Sequence, residues 1–288
     1  MLLTFFLSFC MLSCSNSIFA TPNTFNANVP YGPLPGEILD LCQPLTPPPA
    51  AGFPGLILLH GGGWVLGNQH LNDSTCKYMA SLGFVTVAVN YRLAPAYHWP
   101  AQLEDVQLAV RWLRSHAHLF ALDTHRLCSY GTSAGGHLAL FLGELSTIHP
   151  GDAAALLPQE SPQTTCVVDQ FGPTDLVTFP QTAYQKQITL ALLGHVTHQK
   201  LLASERDASP LYAISSHAAP TLILQGSTDT IVPPYQSREL QRKLLQAGVP
   251  VCYISYIGGH SLLGVTNKQK AILQQELVNY LLRQNGLG

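Results

Sequence analysis

Charged residues make up only 10% of this chain, against roughly a quarter of an ordinary globular protein, and its Lys and Arg never gather into a run. That scarcity excludes the electrostatic footprint of a nucleic-acid binder or of a protein that docks on anionic membrane. Cysteines are present, but none stands in a C-x-x-C pair, and the histidines are scattered, so the chain carries no metal or cluster signature. No glycine run leads into G-K-[ST], and no acidic residue is placed to hold a ribose, which removes a nucleotide cradle. There is no internal repeat and no apolar run long enough to span a membrane. What remains is a chain with 47% hydrophobic residues and a formal net charge of −2, suited to a neutral small-molecule partner and showing no sign of a cofactor.

Residues 1–20, MLLTFFLSFCMLSCSNSIFA, read as a signal peptide cut after Ala20, although the region before the apolar stretch lacks Lys and Arg. This predicts a secreted or periplasmic protein. A second reading takes Met11–Cys14 as a lipoprotein cleavage box, with a lipid anchor on Cys14. Residues 21–288 are then expected to form one domain. Of the remaining cysteines, Cys128, Cys166 and Cys252 sit in apolar strand-like runs and read as buried small hydrophobes. A bridge between Cys42 and Cys76 is open to the chain in an oxidising compartment.

Residues 21–54, rich in Pro and Gly, predict an irregular arm with one short strand around EILDLCQP. Beyond it, apolar β-branched runs (GLILLH, FVTVAVNY, RLCSYG, TCVVDQFG, TLILQG and VCYISYI) alternate with helical patterns near 71–82, 101–119, 134–147, 234–247 and 267–285. Strands that are apolar throughout, separated by amphipathic helices, predict a mainly parallel, doubly wound α/β sheet. Residues 173–219 break the rhythm with Pro173, Pro180, Gly194 and Pro210. They read as a short cap insertion above the carboxyl ends of the strands, where open α/β sheets bind ligands.

Within this frame, Gly131-Thr132-Ser133-Ala134-Gly135 falls between a strand and a helix in the form G-x-S-x-G. A serine at such an elbow is held with its hydroxyl in the open, and flanking glycines let neighbouring backbone approach. The hydroxyl is a weak nucleophile unless a base takes its proton and a carboxylate orients that base. Asp229 and His260 each follow a strand further along, and either could instead be an ordinary turn residue. Acyl transfer also needs amides aimed at the developing oxyanion. Gly61 and Gly62 of HGGGW, after the strand GLILL, together with Ala134, are the candidate donors. Trp64 is the candidate substrate contact, with Trp99, Phe171 and Tyr184 as further lining. His137 reads as a packing residue, and His116, His118, His195 and His198 as structural or solvated. Arg92, Glu104 and Asp105 are expected to pair and fix the YRLAP turn.

Several ordered motifs, HGGGW, YRLAP, LEDV, GTSAGGHLA, FGPTDL, GSTDTIVPP and GGH, resemble the hormone-sensitive-lipase-like carboxylesterases of the α/β-hydrolase superfamily. The chain is most similar to bacterial acetyl, acetylxylan and feruloyl esterases. The resemblance implies an α/β-hydrolase fold and a serine esterase acting on small or short-chain esters. It assigns Ser133 as nucleophile, Asp229 and His260 as its partners, and Gly61, Gly62 and Ala134 as the oxyanion hole. Two rival readings are an arylformamidase-type amide hydrolase, which commonly has Tyr where Gly63 stands, and a non-catalytic binding protein on the same fold.

Overall fold

A computed structural model describes residues 23–144, 156–194 and 197–287. The expected signal peptide with Ala20, Cys10 and Cys14, the last residues of the helix expected over 134–147, and His195 lie outside the described residues. The core is one eight-stranded sheet, β1 (Asn23–Pro30), β2 (Ile38–Pro44), β3 (Phe53–Leu59), β4 (Val85–Val89), β5 (Leu122–Thr132), β6 (Cys166–Gln170), β7 (Thr221–Gly226) and β8 (Val251–Tyr256). Its order is β1-β2-β4-β3-β5-β6-β7-β8. The six strands from β3 onward pair in parallel, while β1 and β2 run antiparallel at one edge.

Among the described residues the α-helices are α1 (Asp73–Ser81), α2 (Ala101–Ser115), α3 (Ala117–Phe120), α4 (Ala134–Gly143), α5 (Ala183–Leu193), α6 (His198–Asp207), α7 (Pro210–Ala213), α8 (Tyr235–Gln246) and α9 (Asn267–Gln284). Alternation along the strands feeds two cores. Ile57, Leu59, Val87, Leu127 and Ile223 meet Leu103, Val110, Leu138, Leu142 and Leu240 of α2, α4 and α8. Leu56, Leu58, Val168, Leu222 and Leu224 meet Met79 of α1 and Leu273, Leu277 and Leu281 of α9. Both sheet faces are therefore dry, which is why the parallel strands read as continuous apolar runs. A third cluster, with Trp64, Leu176, Phe179, Ile188 and Leu192, lies beneath the insertion, which carries α5, α6 and α7.

Several expectations need correction. The arm is not irregular, because its first residues form β1 against β2. The expected 101–119 helix stops at Ser115 and a separate turn, α3, follows. Cys128 and Cys166 are buried, as expected, but they form a disulfide, because the β5–β6 register makes them direct partners. Cys252 is exposed rather than buried, on β8, the last strand of the sheet. The Cys42–Cys76 bridge is present and ties β2 to α1. The expected charged pairs form as well: Arg92 Nε donates to Asp105 Oδ1 at 2.7 Å, its Nη2 to Glu104 Oε2 at 3.2 Å, and its backbone N–H to Asp105 Oδ2 at 2.6 Å. Among the described residues, no helix is long and apolar enough to cross a membrane.

Candidate active site

Ser133 stands between the last residue of β5 and the first of α4, with φ 53° and ψ −121°. A non-glycine residue in that region costs on the order of 1–3 kcal/mol and persists only where its surroundings hold it. Here the Ser133 N–H donates to Gln170 O at 2.9 Å, and Ser133 O accepts from the His137 N–H at 3.1 Å. The elbow also needs its glycines for space. A Cβ on Gly131 would lie 2.0 Å from Gly135 O, and one on Gly135 2.2 Å from Leu59 O. Their absence lets α4 settle on the end of β3, which carries the glycine loop.

The three distant side chains meet. His260 Nε2 lies 3.0 Å from Ser133 Oγ, and its Nδ1 lies 2.7 Å from Asp229 Oδ2. Asp229 is anchored on its other oxygen, which accepts from the N–H groups of Ile231 and Val232, both at 2.9 Å. The carboxylate has no exposed side-chain surface, so these bonds hold its charge in place of water. The Phe171 ring packs on the His260 ring, with centroids 4.7 Å apart.

Gly61 and Gly62 follow β3 at the same strand ends. Among the described residues, no backbone carbonyl accepts from either amide. Ala134 opens α4, and its N–H belongs to the first turn, which a helix leaves without an internal acceptor. Gly62 has φ +127°, and a Cβ there would lie 2.0 Å from Leu66 O, so the loop closes tightly only with glycine. His60 is a support: it stacks on Tyr91 at 4.2 Å, and burial holds its imidazole down to about 4.

These groups face a cleft of about 540 Å³ whose wall includes Gly61, Gly62, Gly63, Ser133, Phe171, Tyr184 and His260. Phe171 and Tyr184 thus line it as expected. Trp64 does not, and the expectation of a substrate contact there is corrected. Its side chain is fully buried, donating through Nε1 to His137 Nδ1 at 3.3 Å, because a positive φ of 62° turns it away from the glycines and into the core under the insertion. Trp99 also lies outside the cleft and donates to Asp207 at 2.9 Å. His137 is a packing residue, as read, with Nε2 donating to Ala208 O at 2.8 Å and its pKa lowered by burial to about 4. His116 stacks on Trp112 at the end of α2.

Sequence reading missed two kinds of site residue. Gln225 donates to Asp229 Oδ2 at 3.4 Å and to Val232 O at 3.1 Å, bracing the carboxylate loop. The available signal was a glutamine inside the buried strand run TLILQG. Leu66, Leu71, Asn72 and Thr75 complete one wall of the cleft, and no local pattern marked them. The insertion reaches the site through α5. Gln185 donates to Thr230 O and Ile231 O beside Asp229, and a Cβ on Gly63 would lie 3.2 Å from Ile188.

The model of the BD-FAE family matches residues 39–244. Esterase LipC of Mycobacterium tuberculosis is 29% identical over 74% of this chain and 53% of its own length. Probable carboxylic ester hydrolase LipM of the same organism is 31% identical over 69% of this chain and 47% of its own length. The chain thus aligns with about half the length of these two curated relatives. Among solved structures, a truncated carbohydrate esterase from gut microbiota superposes with a TM-score of 0.78 at 24% identity, covering 91% of this chain and 96% of that one. The shared fold is that of the α/β-hydrolases.

Proposed function

The chain belongs to the BD-FAE family of α/β-hydrolases, and from that premise we propose that it is a serine carboxylesterase acting on small carboxylic esters through an acyl-enzyme. The observation that carries this reading is the unbroken contact chain from Asp229 through His260 to Ser133, at 2.7 and 3.0 Å, beside the Gly61 and Gly62 amides, from which no backbone carbonyl accepts among the described residues. The esterase names of LipC and LipM support the reaction class.

In the proposed reaction the ester carbonyl oxygen sits against the N–H groups of Gly61, Gly62 and Ala134. Ser133 Oγ attacks the carbonyl carbon while His260 Nε2 takes its proton. The imidazolium that forms faces the Asp229 carboxylate, whose position is set by two backbone N–H groups and so needs no rearrangement. His260 then protonates the departing alcohol and afterwards activates water to release the acid. The cleft volume of about 540 Å³ suits a small ester rather than a polymer drawn in whole. An arylformamidase-type loop with tyrosine at position 63 is disfavoured, because Gly63 has φ +60° and abuts Ile188 and Tyr184 of α5.

The test is hydrolysis of p-nitrophenyl acetate and butyrate by the wild type and by Ser133→Ala, with an aryl formamide as third substrate. Loss of about a thousandfold or more in kcat with an unchanged circular dichroism spectrum is expected. Retained ester activity in the variant, or faster turnover of the formamide by the wild type, overturns the proposal.

A further inference from the structure

On the far side of the cleft wall, β2 and the turn that enters α1 place three metal-ligating side chains together. Asp40, from the middle of β2, has a fully buried side chain. Its Oδ1 accepts from the Asn28 N–H at 2.7 Å, at the irregularity where β1 breaks register. Its Oδ2 has no hydrogen-bond partner, although His70 Nδ1 approaches to 2.8 Å. Asp73 Oδ2 lies 3.6 Å from the same His70 nitrogen, and Asp73 Oδ1 is buried without a partner. The ligand atoms of all three residues lie within 4.8 Å of one another.

We propose that Asp40, His70 and Asp73 bind one divalent cation of the borderline class, zinc foremost, which fastens the 69–73 turn to β2. Bonds of about 2.0–2.2 Å to one ion set its ligands roughly 3–4 Å apart; here His70 Nδ1 lies 2.8 Å from Asp40 Oδ2 and 3.6 Å from Asp73 Oδ2, so small side-chain shifts would close the three around one ion. A buried carboxylate oxygen that accepts no hydrogen bond is costly, and an ion at the common focus of Asp40 Oδ2, His70 Nδ1 and Asp73 Oδ2 removes that cost. One imidazole with two carboxylates favours zinc over calcium, which prefers six or more oxygens. Lys77, the nearby cation on α1, lies over the Phe25 ring at 3.8 Å. Beside His70, Gln69 Nε2 donates to Asn28 Oδ1 at 2.9 Å. The turn so fastened supplies Leu71 and Asn72, and α1 supplies Thr75, to the cleft, so the ion would stiffen that wall without touching the reacting atoms. This inference does not depend on the esterase reading.

The experiment is calorimetric titration of zinc chloride into the chelator-treated full chain carrying Cys252→Ser, which removes the exposed thiol as a rival ligand, with calcium chloride as a second titrant and thermal unfolding as a second readout. One zinc per chain is expected, with a higher unfolding midpoint. His70→Gln and Asp73→Asn, both at partly exposed positions, should each weaken binding by about tenfold or more and abolish the rise in midpoint. Asp40→Asn should do the same, and if it fails to fold the other two variants carry the test. Absence of saturable zinc binding overturns the proposal. Equal binding by the variants, or preference for calcium, overturns it as well.

Discussion

Replacing Asp229 by Asn changes one atom and should nearly silence the proposed esterase. Asp229 Oδ1 accepts two backbone N–H bonds, from Ile231 and Val232, so the amide oxygen of the variant must stay there. Its Nδ2 is then forced to face His260 Nδ1, 2.7 Å away in the wild type. Two N–H groups cannot face each other at that distance, so His260 must carry its proton on Nε2 and accept at Nδ1. That proton points at Ser133 Oγ, 3.0 Å away, and the ring can no longer act as base. Gln225 Nε2, a donor at 3.4 Å from the other oxygen, favours the reversed amide, but one long contact is outweighed by two backbone N–H bonds at 2.9 Å. The wrong tautomer and the lost counter-charge together should lower kcat by about 10⁴, or about 5.5 kcal/mol of transition-state stabilisation. KM should move little, because Asp229 lies behind the imidazole. The assay is steady-state hydrolysis of p-nitrophenyl acetate, with thermal unfolding as control. An Asp229→Asn enzyme within tenfold of wild type, or one whose loss follows its unfolding, would refute the reasoning.

Two further outcomes follow from buried groups. Gly135→Ala places a Cβ 2.2 Å from Leu59 O, a backbone contact that cannot rotate away. It should destabilise the fold by on the order of 2–4 kcal/mol in urea unfolding, and a neutral effect would contradict the close packing of α4 on β3. Burial raises Asp169 to about 7 and Glu144 to about 8, and holds His60 and His137 down to about 4. The raised carboxyls contribute stability that is complete at low pH and lost as pH climbs through 7 and 8. The histidines contribute stability that is complete above their ordinary value of 6.5 and lost only below it. Between pH 6.5 and 8 the carboxyls act alone, so stability should fall by on the order of 2 kcal/mol. Glu144→Gln should remove about two thirds of the decline and Asp169→Asn about one third, measured by urea midpoints across the range, and a flat wild-type profile would refute the assignment.

Much of the molecule was legible where the physics is local. The apolar strands after residue 54 announced both cores because parallel strands bury both faces, and TLILQG over 221–226 became β7 with the same ends. The elbow at Ser133 was legible because only small residues permit the approach of β3, β5 and α4. Less was legible where a partner far along the chain decides the outcome. The Pro-rich arm showed one strand and concealed another, since β1 exists by pairing with β2 rather than by its own pattern. Trp64 looked like a substrate contact from its place beside three glycines, but its backbone angle sends the ring to His137.

The order of residues by itself determined the alternation of strand and helix, the strained serine, and which carboxyl and imidazole stand at strand ends, because these follow from side-chain periodicity and from steric limits within a few residues. Only the folded chain decided that Cys128 meets Cys166, that the Asp229 carboxylate is gripped by two amides, and that Asp40 converges with His70 and Asp73. Each of those depends on sheet register and helix placement, which arise from long-range packing and are written in no short stretch of sequence.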